Sequence, residues 1–135
     1  MMRYSDVKAE LLGTKGRNRE EDLIQCAVVE HLRLLAMPDV VWYAVINQGI
    51  RSEAAKKFAG RMGLVPGVYD LAGSLPPNGQ AWHLELKTRD GVLSTAQENF
   101  GELCERNGAL HAVCYSLDDA LTWLRAIGVL RPEAI

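Results

Sequence analysis

Long apolar runs are absent from this sequence. No stretch approaches the roughly 20 uninterrupted apolar residues that a membrane-spanning helix needs, and the opening MMRYSDVKAE lacks the apolar h-region of a secretion signal. We therefore expect a soluble, cytoplasmic protein. Its 135 residues and 48% hydrophobic content are typical of one compact domain with a single core.

Cysteine is also scarce, and the three cysteines lack CxxC spacing. Cys26, Cys104 and Cys114 lie among apolar or helix-forming neighbours, so we predict reduced thiols in or near the core.

An excess of positive charge is missing too, because the formal net charge is -2. This value argues against a surface built throughout to bind polyanions. Cations are nevertheless concentrated in residues 15–20 and 50–61, although such clusters, taken alone, are more often solvated surface.

The chain alternates between two hydrophobic periods. Apolar residues at i, i+3 and i+4 predict helices, and short β-branched or aromatic stretches bounded by Gly, Pro or Asn predict strands. The predicted helices are Arg19–Met37, Ser52–Gly63, Ser94–Gly108 and Leu117–Gly128. The predicted strands are Val40–Ile46, Gly67–Gly73, Ala81–Thr88 and Ala109–Ser116.

This order of elements predicts an α/β domain with a mixed β-sheet flanked by helices. We assign the domain to residues 19–128. Residues 1–18 then form an N-terminal extension, and residues 129–135 form a C-terminal tail.

Two of the predicted strands each carry a carboxylate. Asp70 lies in GVYDLAG and Glu85 in HLELKT, where Lys87 follows. Side chains alternate across a strand, so Glu85 and Lys87 share one face while the neighbouring leucines point to the other. Adjacent strands lie only about 4.8 Å apart, so a hairpin would bring Asp70 to the same edge. Two carboxylates that close favour a divalent cation between them.

The same residues allow a plainer interpretation. Glu85 and Lys87 would be an ordinary solvent-facing pair on a half-buried strand, and Asp70 would cap the turn after Pro66 and Gly67. A bare Glu-x-Lys tripeptide occurs by chance in many chains. The residue pattern alone therefore leaves a metal site and a surface pair both open.

Several spaced motifs resemble those of a known nuclease family. GLVPGVYDL and HLELKTRDGVLSTAQ are similar to the PD-(D/E)xK core in its virus-type replication-repair nuclease (VRR-NUC) form. That form runs from Pro-Gly-x-x-Asp-Leu to Glu-x-Lys, a glycine and Leu-Ser-x-x-Gln. EDLIQCAVVEHL resembles the family's opening helix, and NQGIRS resembles its Asn-Gly-Arg-Ser turn. The resemblance extends from Glu21 to Leu124 and departs from the family at Tyr69 and Ile46, where proline is usual.

The resemblance implies a restriction-endonuclease-like core with a metal-dependent active site. The implied ligands of Mg²⁺ or Mn²⁺ are Asp70, Glu85 and the backbone carbonyl of Leu86. The other implied catalytic residues are Lys87, Gln97 and Glu21. Glu20 and Asp22 adjoin Glu21, so helical phase decides which of the three acids faces the site.

The implied activity is that of an endodeoxyribonuclease. It would hydrolyse phosphodiester bonds in branched, Holliday-junction-like DNA, as a homodimer in a bacterial or phage-infected cell. The candidate phosphate contacts are Arg17, Arg19, Arg51, Lys56, Lys57 and Arg61. The alternatives are a flap or nicking nuclease without junction preference, a non-catalytic DNA-binding or assembly module on the same fold, and a small-molecule or protein-interaction domain with accidental motif spacing.

Overall fold

A computed structural model describes residues 19–45 and 52–133. The helices are α1 (Arg19–Leu35), α2 (Glu53–Arg61), α3 (Thr95–Asn107) and α4 (Leu117–Ala126). The strands are β1 (Val41–Ala44), β2 (Leu71–Leu75), β3 (Gln80–Leu86) and β4 (Leu110–Cys114). The predicted α/β class and the predicted order of elements are confirmed. None of the described helices is long and apolar enough to span a membrane.

The four strands form one mixed sheet in the order β1-β2-β3-β4. β1, β2 and β3 are antiparallel neighbours, whereas β3 and β4 are parallel. The β2–β3 hairpin pairs Leu71 with Leu84. Continuing this register by one residue brings Asp70 opposite Glu85, as the hairpin predicted from the sequence requires.

The second strand is where the prediction of boundaries was wrong. The strand was predicted over Gly67–Gly73, but β2 begins at Leu71. Gly67 has a positive φ of 86°, which turns the chain before the sheet is reached. Asp70 therefore lies immediately before β2, and its carbonyl accepts a hydrogen bond from the Val45 N–H at 2.9 Å.

One face of the sheet packs against α1 and α4 to form the main apolar core. β3 contributes Trp82, Leu84 and Leu86, which are all buried, and the two helices contribute residues such as Leu32 and Leu124. Trp82 and Trp123 meet edge to face with ring centroids 6.5 Å apart. Trp82 thus belongs to the core, and Trp123 and Trp42 pack against it. Cys26, Cys104 and Cys114 are free thiols, the last two buried, as predicted.

Helix α3 covers the opposite face of the sheet. Phe100 of α3 meets Tyr69 and His83 edge to face, with centroid distances of 5.0 and 5.1 Å. The predicted caps Ser94 and Gly108 hold this helix, and Gly108 adopts the left-handed conformation. Because both faces of β3 are covered, Glu85 is buried on one face, as Leu84 and Leu86 are on the other.

Helix α2 buries very little of its apolar face. Ser52 caps it as predicted. Ala55, Phe58, Ala59 and Met62 recur at i, i+3, i+4 and i+7, so they form one stripe, which we call the α2 stripe. Of these four residues, only Ala59 is buried, while Phe58 and Met62 are 59% and 70% exposed. The stripe is thus an apolar surface without cover within the described part of the chain.

Candidate active site

Asp70 reaches across the hairpin to the backbone of β3. Its Oδ2 accepts a hydrogen bond from the Leu86 N–H at 2.9 Å. This bond fixes the carboxylate beside the end of β3, where Glu85 and Lys87 lie. The turn before β2 therefore positions Asp70 for the site rather than leaving it as a simple turn cap.

Glu85 is a buried carboxylate, only 2% exposed. Its Oε2 accepts a hydrogen bond from Gln97 Nε2 at 2.9 Å and lies 3.5 Å from Lys87 Nζ. Its Oε1 is buried and has no hydrogen-bond partner among residues 19–45 and 52–133. The interpretation of Glu85 and Lys87 as a solvent-facing surface pair was therefore wrong, because α3 covers this face of the strand.

The pKa of Glu85 is raised to about 8, first by burial and then by the neighbouring Asp70 carboxylate, while Lys87 acts in the opposite direction. Desolvation penalises the charged form of an acid, and a second negative charge nearby adds to the cost. The raised pKa of Glu85 therefore reflects both its burial and its closeness to Asp70.

Lys87 and Gln97 approach Glu85 from different elements. Lys87 follows β3, and its alkyl chain passes Gly91, where an added Cβ would lie 3.2 Å from Lys87 Cβ. Gln97 belongs to the first turn of α3, and its Oε1 accepts a hydrogen bond from the Ser94 N–H at 2.9 Å. The amide of Gln97 thus caps its helix with one atom and binds Glu85 with the other.

These residues line a cavity of about 430 Å³. Helix α1 supplies Glu21, Asp22 and Gln25 to its wall. Glu20, in contrast, is exposed at the start of the helix. The helical phase therefore directs both Glu21 and Asp22 to the cavity, where the sequence had singled out Glu21.

The segment 66–70 forms the other side of the cavity, through Pro66, Gly67, Val68 and Asp70. The sequence analysis assigned a catalytic role in this segment to the aspartate alone. The structure adds Tyr69, a buried residue whose pKa is raised by burial and then by Cys104 and Glu85. The Pro-Gly pair ahead of the aspartate was the signal in the sequence that this turn has a fixed shape.

The carboxylate pair suits a hard divalent cation. The unpartnered Oε1 of Glu85 is a buried oxygen in need of a positive group, and oxygen ligands are those that Mg²⁺ and Mn²⁺ prefer. Within the described residues, no group of three or more His, Cys, Asp or Glu is arranged to hold a metal ion. An ion held by Asp70 and Glu85 alone would retain several of its own waters.

The candidate phosphate contacts are divided between α1 and α2. Arg19 is exposed at the start of α1, and Lys56, Lys57 and Arg61 are exposed on α2. Arg17 and Arg51 lie outside the described residues. His83, two residues before Glu85 in β3, packs against Phe100, and its pKa is lowered by burial and by His111.

The fold is similar to that of a solved structure described as a "VRR_NUC domain protein". The two chains are 20% identical, with a TM-score of 0.65, over 88% of this chain and 100% of the other. This likeness confirms the fold that the sequence motifs implied. No protein-family model and no curated protein sequence matches the chain.

Proposed function

We propose that this chain is an endodeoxyribonuclease that depends on Mg²⁺ or Mn²⁺. The observation that supports the proposal most strongly is the buried Glu85, with Asp70 opposite and with Lys87 and Gln97 both on its Oε2. Burying two like charges side by side costs folding free energy. A cluster that is retained despite this cost is better explained by a function than by stability. The similarity in fold to a VRR_NUC domain protein agrees with a nuclease.

The chemical task is to bring an attacking water to a phosphodiester that repels it. A divalent ion, when bound, would polarise a phosphate oxygen and acidify the attacking water. Asp70 and Glu85 would hold that ion, and Gln97 would keep Glu85 in its bound orientation. Lys87 would orient the water and stabilise the negative charge that develops on the phosphate.

We further propose that the substrate is branched DNA and that the protein acts as a homodimer. One chain supplies one Asp-Glu-Lys set, whereas symmetric incision of a four-way junction needs two centres related by a two-fold axis. The exposed cations Lys56, Lys57 and Arg61 on α2, with Arg19, would contact phosphates. Binding should weaken as salt rises, because phosphate neutralisation releases counterions.

A non-catalytic DNA-binding module on the same fold is the second candidate. Such a module would be expected to have lost part of the Asp70, Glu85 and Lys87 set. The set is complete, and its members lie together, which favours catalysis.

The test is cleavage of labelled four-way junctions, flaps and linear duplex in Mg²⁺, Mn²⁺ or EDTA. We expect cleavage that EDTA abolishes and that Asp70→Asn and Glu85→Gln each remove. Glu102→Gln is the matched control, since Glu102 is an exposed acid on α3. Cleavage that persists in EDTA, or at the wild-type rate in Glu85→Gln, would contradict the proposal. Cleavage of flaps alone would contradict only the junction preference.

A further inference from the structure

The turn that carries Asp70 also contacts the helix that carries Gln97. We propose that Gly67 and Tyr69 are positioning residues that fix the height of α3 above the sheet and thereby hold Gln97 against Glu85. The proposal rests on the proposed function for its catalytic consequence. Its structural part, the seating of α3, can be tested without any activity.

The first point of contact lies at Gly67. A Cβ added there would clash with the backbone carbonyl of Ala96 and would lie 2.7 Å from the Gln97 nitrogen. The φ of Gly67 is 86°, a conformation that residues with a side chain rarely adopt. Only glycine therefore allows the turn to lie directly against the first turn of α3.

The second point of contact lies one helical turn further along α3. A Cβ added at Gly101 would lie 2.5 Å from the hydroxyl oxygen of Tyr69, 3.6 Å from its ring carbon Cζ, and 3.9 Å from His111 Nδ1. The clash would thus arise from the Tyr69 hydroxyl alone, because the other two distances are ordinary contacts. The ring itself is held by Phe100, at a centroid distance of 5.0 Å.

These contacts converge on Gln97. Gly101 is four residues after Gln97, so the two share one face of α3, the face that looks onto the sheet. A helix pushed away at Gly101 would draw the Gln97 amide from Glu85 Oε2, a hydrogen bond of 2.9 Å. Tyr69 directly precedes Asp70, so one short segment sets the positions of both Asp70 and Gln97.

Because the Tyr69 hydroxyl approaches so closely, we predict that Gly101→Ala destabilises the protein, opposite to the usual effect of Gly→Ala in a helix. Alanine normally stabilises a helix interior relative to glycine, but here the new methyl meets that hydroxyl. We expect Gly101→Ala to lower the melting temperature. Tyr69→Phe removes the hydroxyl and the clash, so Tyr69→Phe/Gly101→Ala should recover most of the loss. Gly60→Ala on α2 is the matched control, because a Cβ there meets nothing within 4 Å, and it should leave the melting temperature unchanged or raise it.

Two readouts distinguish positioning of Gln97 from general packing. In ¹⁵N-labelled protein, the side-chain amide resonances of Gln97 should shift in Gly101→Ala and return in the double variant. In the cleavage assay, Gly101→Ala should lower kcat about 10- to 100-fold, with KM changed much less, since small misplacements of catalytic groups have effects of this size. The double variant should recover kcat.

The possible outcomes separate this inference from the proposed function. If the protein cleaves no DNA, the melting and resonance measurements still test the seating of α3. If Gly101→Ala is as damaging in the Tyr69→Phe background as it is in the wild type, the contact does not set the position of the helix and the inference is overturned. If melting is rescued while the Gln97 resonances never move, Tyr69 supports packing only, and its role in positioning Gln97 is overturned.

Discussion

At the scale of single residues, Glu85 shows most clearly what distinguishes this site from ordinary structure. A buried acid normally has each oxygen satisfied, because an unpaired buried polar atom costs about 1–3 kcal/mol. Here Oε2 has both Gln97 and Lys87, while Oε1 has no hydrogen-bond partner in the described part of the chain. This uneven distribution is one of the observations that support the proposed metal site.

The raised pKa of Glu85 leads to a prediction about stability and pH. Without metal, the folded state binds this proton more tightly than the unfolded state does, so stability falls as pH rises from 4.5 towards about 8. We expect Glu85→Gln to melt above the wild type at alkaline pH and to lose this advantage near pH 4.5. Thermal denaturation in EDTA across that range measures the difference.

Metal provides the control for this pH experiment. Saturating Mg²⁺ should raise the melting temperature of the wild type at alkaline pH, because ligand binding to the folded state stabilises it. The same addition should have little effect on Glu85→Gln. A wild type whose stability is flat from acid to alkaline pH would contradict the assignment of a strained carboxylate.

Lys87 gives a second prediction at this scale. Because the lysine acts on water and on phosphate charge, Lys87→Ala should reduce cleavage by at least about a hundredfold. The carboxylates remain in Lys87→Ala, so metal binding measured by calorimetry should persist. Loss of metal binding together with cleavage would give Lys87 a structural role instead.

At the scale of elements, local sequence signals identified the helices and, to within two residues, the ends of three of the four strands. Ser52, Ser94 and Gly108 marked helix ends correctly, because capping depends on residues close in the chain. The strand pattern placed the start of β2 four residues too early, because the Gly67 turn comes first. The burial of Glu85 could not be found this way, since it depends on the packing of α3 over the sheet, which joins segments distant in sequence.

The motifs nevertheless indicated which residues come together. Asp70 and Glu85 were expected at one edge because strands in a hairpin are adjacent, and the register places them opposite each other. The contact of Gln97 with Glu85 came only from resemblance, since helical periodicity alone does not say which sheet residue a helix faces. Tyr69 and Gly101 carried no local signal, because their contact is purely steric.

The capping box of α3 leads to a prediction at the element scale. Ser94 Oγ accepts a hydrogen bond from the Gln97 N–H at 3.1 Å, and Gln97 Oε1 accepts one from the Ser94 N–H. Ser94→Ala should cost about 1 kcal/mol of stability. It should also lower cleavage about tenfold, because the Gln97 backbone N–H loses its partner and the first turn of α3, which carries Gln97, is held less firmly.

Ser116→Ala is the matched control for this variant. Ser116 caps α4 through the same kind of hydrogen bond, accepted by its side chain from the Asp119 N–H at 3.1 Å, and it lies away from the cavity. Denaturant melts should show similar losses of stability for the two variants. If Ser116→Ala also lowers cleavage tenfold, the effect is one of stability alone, and the cap does not serve the site.

At the scale of the whole molecule, α2 separates two kinds of surface. Lys56, Lys57 and Arg61 lie outside the α2 stripe, so one side of the helix is cationic and the other apolar. A second copy of the chain suits the apolar side. Glu53 begins the helix and Arg61 ends it, so two copies packed antiparallel place each acidic end beside the basic end of the other.

A stable dimer interface needs more surface than α2 alone can supply. A stable interface needs about 800 Å² from each partner, and a helix of this length is only about 14 Å long. Leu64 and Val65, which follow α2 and are exposed, extend the apolar surface. Pairing through the stripe would leave Lys56 and Lys57 of α2 available for DNA.

We therefore predict that the proposed homodimer forms through the α2 stripe. We expect light scattering to report twice the chain mass for the wild type and the single chain mass for Phe58→Ser/Met62→Ser. Leu34→Ser is the control, since Leu34 on α1 is 79% exposed and outside the stripe, and it should remain dimeric. The dissociated variant should still bind Mg²⁺, because Asp70 and Glu85 belong to one chain, but it should nick a four-way junction instead of cutting both strands. A wild type that is monomeric at all concentrations, or a stripe variant that remains dimeric, would contradict this interface. A monomer that makes paired incisions would show that symmetric cutting does not need the second copy.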